Sequence, residues 1–137
     1  MSKSIRLADT DKIAGRTMTF GVCATCDPRI DPASRSRARN IISMTAEVIA
    51  GAVKTPEGKP ARVVWSPVLI DGERQADIVA AQFRAAGVDA VVCAPDTWAF
   101  PQLGLMSLMS HFPKDMPLNL TCGNSGPRPG VVYTHAA

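Results

Sequence analysis

The stretch GVDAVVCAPDTWAFP, residues 87–101, decides the fold. Gly87 closes the helix before it, because glycine enters the left-handed conformation at a helix C-terminus without a Cβ penalty. Ala90 to Ala94 is then a short, fully apolar run of the kind buried on both faces of a parallel sheet. Pro95, Asp96, Thr97, Trp98, Ala99, Phe100 and Pro101 follow at once, bringing turn formers, a charge and two aromatic rings to the strand tip. Open α/β sheets bind ligands beyond the carboxyl ends of their strands. Polar and aromatic residues gathered at one rim are what a small polar ligand requires.

The same rhythm extends upstream. Asp71-Gly72 opens a helix that carries Ile78, Val79, Phe83 and Ala86 on one face. Arg62 to Ile70 reads as the second strand, and Pro67 within it predicts a sheet edge or a bend. Before that, Asp31 is placed as an N-cap with Pro32 at the first helical position. Ile41, Ile42, Val48, Ile49, Ala52 and Val53 recur at helical spacing between Ser34 and Val53, and Thr55-Pro56-Glu57-Gly58 stops that helix. Thr17 to Ala24 is the first strand. Downstream, Pro101 to Phe112 predicts a short helix rich in Leu and Met, Leu118 to Cys122 a fourth strand, and Gly123 to Gly130 a loop. Val131 to Ala137 begins a further helix.

Strands alternating with helices predict an α/β protein: a three-layer, doubly wound parallel sheet, Rossmann- or flavodoxin-like. The expectation is an N-terminal extension over residues 1–16 and an α/β domain over 17–137, incomplete at its C-terminus because the last helix has barely begun.

The 137 residues are enough to bury a core as one domain. Hydrophobic residues make up 46% and charged residues 20%, the balance of a globular protein rather than a disordered one. The net charge of +3 comes from scattered Lys and Arg, so neither a nucleic-acid nor a membrane partner is expected. No apolar run approaches the roughly 18 residues that span a bilayer, and the first twenty residues lack a signal-peptide core. A cytoplasmic setting follows, with Cys23, Cys26, Cys93 and Cys122 reduced.

Three strand ends carry the unusual residues. The first strand ends in Cys23-Ala24-Thr25-Cys26-Asp27-Pro28-Arg29 and the third in Pro95 to Pro101. The fourth ends in Gly123-Asn124-Ser125-Gly126-Pro127-Arg128-Pro129-Gly130. Trp98 offers a flat face for the C–H face of a sugar and an indole N–H donor; packing under the next helix explains it equally well. Arg29 presents a planar fork suited to vicinal hydroxyls, a carboxylate or a phosphate, and its plainer reading is a salt bridge with Asp27 or Asp31. Asp27 is placed to orient Arg29. Asp96 either accepts from hydroxyls or, more simply, caps the third helix.

Other features carry less. Cys23 and Cys26 form a C-x-x-C, but the helix cap comes only at Asp31, too far on to stabilise a thiolate. No second cysteine pair completes a zinc site, so buried, inert thiols are the expectation. The glycine-rich loop matches no phosphate-binding pattern, and Pro127 and Pro129 remove N–H groups that a phosphate cradle needs. His111 is read as a partly exposed residue near a helix end, and His135 carries no assignment.

Three segments together resemble the N-terminal domain of the L-fucose isomerase and D-arabinose isomerase family, and more loosely L-arabinose isomerase. They are Gly21-Val22 with Asp27-Pro28-Arg29; Pro95-Asp96-Thr97-Trp98 with Phe100-Pro101; and Asn124 with Arg128-Pro129-Gly130-Val131-Val132-Tyr133. The resemblance implies an aldose–ketose isomerase that uses a divalent metal, usually Mn2+, to polarise two substrate oxygens while a carboxylate moves a proton. It implies that the metal ligands, two carboxylates and a histidine, belong to later domains, and no stretch of this chain matches them. It further implies that the N-terminal domain lends an Arg and an aromatic residue to a neighbouring subunit's active site. Those roles fall on Arg29 and Trp98, with Asp27 and Asp96 in support. No catalytic residue and no metal ligand is expected in this chain, which would be inactive by itself.

Two classes of function are thus in play. One is the substrate-recognition part of a sugar isomerase, working with a sugar substrate and as a homo-oligomer, a hexamer by family habit. The alternative is a stand-alone flavodoxin-like module that binds a small ligand without catalysis. The end at Ala137, inside a predicted helix, favours the first.

Overall fold

The computed structural model describes residues 16–95, 99 and 102–121. Four strands, β1 (Thr19–Cys23), β2 (Arg62–Trp65), β3 (Ala90–Cys93) and β4 (Leu118–Leu120), alternate with three helices, α1 (Pro32–Ala52), α2 (Glu73–Ala85) and α3 (Leu105–Met109). These four strands pair in parallel throughout, in the order β2-β1-β3-β4. Burial follows that order. The central strands, TFGVC and AVVC, are buried almost throughout, whereas β2 is half-buried at its two middle residues and exposed at both ends, and β4 is exposed at every residue.

The period-two geometry of β1 splits the core into two layers. Val22, Ala24 and Cys26 pack with Val92 against Ala38, Ile42 and Ala46 of α1. Cys23 packs with Val91 and Cys93 against Ala76, Val79, Ala80 and Phe83 of α2 and Leu108 of α3. Helices therefore cover both faces, and the sheet is doubly wound as the sequence predicts.

Local signals act where the sequence places them. The Asp31 carboxylate accepts the Ser34 N–H at 2.8 Å, and Pro32 opens α1. Gly87, at φ +66°, ends the turn after α2.

Besides one or two residues at the ends of β1 and β3, four boundaries or faces differ from expectation. The strand predicted for Arg62 to Ile70 ends at Trp65, and pairing resumes only at an isolated bridge between Thr25 and Ile70. Two more residues separate these pairings on the β2 side than on β1, because Pro67 cannot donate to the ladder. Ile78, predicted for the buried face of α2, is 42% exposed; Ala76 and Ala80 take that face with Val79 and Phe83. The helix predicted for Pro101 to Phe112 is shorter, at Leu105–Met109, and its N-cap position is Gly104. A Cβ on Gly104 would stand 2.9 Å from Thr25 Cγ2, so the glycine permits the close approach of this turn to the β1 tip. Finally, β4 ends at Leu120. The expectations for Asp96, Trp98, Cys122, Gly123 to Gly130, Val131 to Ala137 and residues 1–15 lie outside the described residues.

Candidate functional site

Strand order reverses direction between β1 and β3, since β2 lies on one side of β1 while β3 and β4 lie on the other. In open α/β sheets that switch point opens a crevice at the carboxyl strand ends. β1 and β3 are adjacent, with Cys23 opposite Cys93, and the Ala94 N–H donates to the Cys23 carbonyl at 2.8 Å. The segments carrying Arg29 and Trp98 in sequence thus leave the sheet from neighbouring tips.

Past β1 the chain stays buried through Thr25, Cys26 and Asp27, then surfaces at Pro28 and Arg29. It is tied down because the Cys26 N–H donates to the Ile70 carbonyl at 3.0 Å. Asp27 then folds the chain back on itself. Its Oδ1 accepts the Arg29 backbone N–H at 2.8 Å and Arg29 Nε–H at 2.9 Å, and Oδ2 accepts from Nη2 at 2.6 Å. The two-residue offset is that of an Asx turn, reinforced here by a guanidinium fork. The carboxylate is 7% exposed, whereas the Arg29 side chain is 76% exposed. The side-chain hydrogen bonds from Arg29, then its backbone N–H, hold the Asp27 carboxyl at about 2, well below the usual range. Such a carboxylate is a poor base near neutrality. What it does is hold an exposed cation at the tip of β1.

Of the two salt bridges considered for Arg29, the one with Asp27 forms, while Asp31 is committed to capping α1. The N-cap position of α3 is Gly104, which makes no side-chain capping hydrogen bond. Asp96 and Trp98 themselves lie outside the described residues.

Arg35 and Asp71 escape a reading of local motifs. Arg35 Nη2 donates to the Pro28 carbonyl at 2.8 Å and to Asp71 Oδ2 at 3.0 Å, tying the β1 tip to the start of α2. Arg39, one turn along the same face of α1, donates from Nε to the Pro67 carbonyl at 3.2 Å. The i, i+4 spacing of these arginines was the available signal, since helical side chains lean toward the N-terminus where the turn lies.

Cys23 and Cys26 face opposite layers of the core and do not form a redox pair. Burial pushes the Cys26 thiol up to about 11. A hydrogen bond with Cys93, and then burial, push Cys23 up as well. The three described cysteines are free and buried, as inert thiols should be. His111, just beyond α3, is partly exposed and pairs through Nε2 with Asp77 Oδ1 at 2.8 Å.

Among the described residues no group of three His, Cys, Asp or Glu is arranged to hold a metal ion, and both Asp27 oxygens are engaged by Arg29. This donor set does not fit manganese. A groove of about 570 Å³ lies elsewhere, between α1 and the sheet, lined by Phe20, Ile41, Met44, Val48, Ile49 and Val92 among others. No charged side chain lines it, so it is poorly suited to fixing a polyhydroxy ligand. No described helix is long and apolar enough to cross a membrane.

The fold and this site define a Rossmann-like α/β domain with an exposed, carboxylate-held arginine at its switch point and no metal centre among its described residues. Comparison with protein families carries that further, for residues 17–137 match the family model described as L-fucose isomerase, first N-terminal domain. The chain belongs to the L-fucose isomerase family, as its first N-terminal domain. A search of curated proteins finds no match.

Proposed function

We propose that this chain is the substrate-recognition domain of an aldose–ketose isomerase of the fucose/arabinose type. Its active site is metal-dependent and is completed by domains beyond this sequence. The observation that carries the reading is the Arg29 guanidinium, forked by a nearly buried Asp27 and exposed at the switch point between β1 and β3. A planar cation held in this way donates to vicinal hydroxyls with little ordering cost on binding. In this reading Trp98 stacks on the C–H face of the sugar and Asp96 supports it, from the tip adjacent to Arg29. Mn2+ is held by the completing domains and supplies electrophilic assistance there, and the enzyme works as a cytoplasmic homo-oligomer in which this domain serves a neighbouring subunit.

The test compares Arg29→Lys and Trp98→Ala with the parent in the isomerase that carries this domain. Losing a positioned fork or a stacking face should raise KM for the sugar by roughly tenfold and lower turnover, with Mn2+ affinity unchanged. Parental kinetics in Arg29→Lys would refute the recognition role of Arg29, and parental kinetics in Trp98→Ala that of Trp98.

A further inference from the structure

We propose that Arg35, braced by Asp71, is a positioning residue that holds the Asp27–Pro28–Arg29 turn in the geometry with which Arg29 meets the sugar. The inference rests on the recognition role proposed for Arg29.

The turn carries its recognition group on an exposed residue, and a short exposed loop ordinarily samples several conformations. The fork between Asp27 and Arg29 is internal to the turn. It fixes the guanidinium relative to Asp27, and the Cys26–Ile70 hydrogen bond anchors the chain just before it, but neither holds the Pro28 backbone. Arg35 supplies that restraint. From the first turns of α1 it reaches back to the Pro28 carbonyl, the backbone group between the two forked residues, at 2.8 Å. The same Nη2 atom meets Asp71 at 3.0 Å, and both side chains are largely shielded from solvent. Asp71 stands directly after Ile70, whose backbone is hydrogen-bonded to Ala24 and Cys26 of the β1 extension. Three segments therefore meet at one guanidinium: the β1 tip, the start of α1 and the loop before α2. A lysine in its place has one compact ammonium and no planar fork, so it can keep the charge while losing part of the geometry.

Two measurements separate positioning from simple packing or simple charge. The first is the Asp27 carboxyl pKa, followed by 13C NMR in the intact chain. If the turn loosens, Arg29 leaves Asp27 part of the time and that pKa rises. Arg35→Gln should raise it. Asp71→Asn should raise it too, although removing a negative charge would by electrostatics alone lower it. Opposite signs thus distinguish loosening from charge. The second is kinetic, in the isomerase that carries this domain. Arg35→Gln should raise KM for the sugar by about tenfold with a smaller change in kcat, should add nothing further in an Arg29→Lys background, and should be partly rescued by Arg35→Lys.

An unchanged Asp27 pKa in Arg35→Gln, or a fall in Asp71→Asn, overturns the proposal, as does a KM effect that adds fully to that of Arg29→Lys. Parental kinetics for Arg35→Gln beside a defective Arg29→Lys overturn the positioning role alone; parental kinetics for Arg29→Lys itself overturn the recognition role on which it stands. Should Arg35→Gln fail to fold, Arg35→Lys and Asp71→Asn carry the same comparison.

Discussion

Asp27 holds a residue two places along the chain by three hydrogen bonds, and that local grip has a measurable signature in pH. Its folded-state pKa of about 2 lies below the ordinary value near 4 expected when the chain unfolds. A depressed carboxylate contributes stability that is fully present above the unfolded value and is lost as pH falls from about 4 through about 2. The Arg29 partner is mostly exposed, so water and salt screen the pair and the contribution is small. Arg29→Gln should move the Asp27 carboxyl back toward 4 in a 13C titration and flatten the dependence of Tm on pH in that window. A carboxyl still titrating near 2 in that variant would assign the shift to other groups. The sequence made Asp27 and Arg29 visible as a pair, since both partners lie within one turn. Arg35 was less visible, because its acceptors lie seven and thirty-six positions away.

At the scale of elements, β1 and α2 meet through a glycine. A Cβ on Gly21 would stand 2.8 Å from Phe83 Cδ2 and Cε2, closer than such atoms approach, and Phe83 is fully buried. The phenyl ring thus lies directly on the β1 backbone, and the place usually taken by a side chain belongs to it. Gly21→Ala should destabilise the domain by about 1–3 kcal/mol, read as a lower urea midpoint. Phe83→Leu, costly in the parent because it leaves a cavity, should recover part of that loss when combined with Gly21→Ala. Additive losses in the double variant would show that ring and glycine are not in conflict. Elements whose signals are local were legible: the Asp31-Pro32 start of α1, the Gly87 stop after α2 and the apolar β3. Those decided by tertiary contact were not. The early end of β2 reflects Pro67 at the edge, and the shortened α3 reflects the close packing of Gly104 on Thr25.

At the scale of the whole molecule, the domain carries an exposed cation at a strand tip and no metal centre among its described residues. Arg29 stands at the switch point, while the described residues offer a divalent cation no donor set. Calorimetric titration of Mn2+ into the isolated chain should give no more heat than an unrelated protein of similar charge; a stoichiometric, tight isotherm would place a metal site within this domain. Among the described residues, Met44 and Val48 of α1 stay exposed over one face of the sheet, and Leu118 and Leu120 of β4 stay exposed on the other, where their β3 partners Val91 and Cys93 pack against α2. Parallel sheets are ordinarily covered on both faces, and among the described residues β1 and β3 are buried while β4 is exposed.

By itself the sequence determined the alternation of strands and helices, their caps, and the residues gathered at the strand tips. These depend on period, on backbone permissiveness and on neighbours within a few positions. Only the tertiary structure decided the order β2-β1-β3-β4 with its switch point, the parting of Cys23 and Cys26 into separate core layers, and the meeting of Arg35, Pro28 and Asp71. Such contacts join residues far apart in the chain, and they exist only once the sheet has set which tips lie side by side.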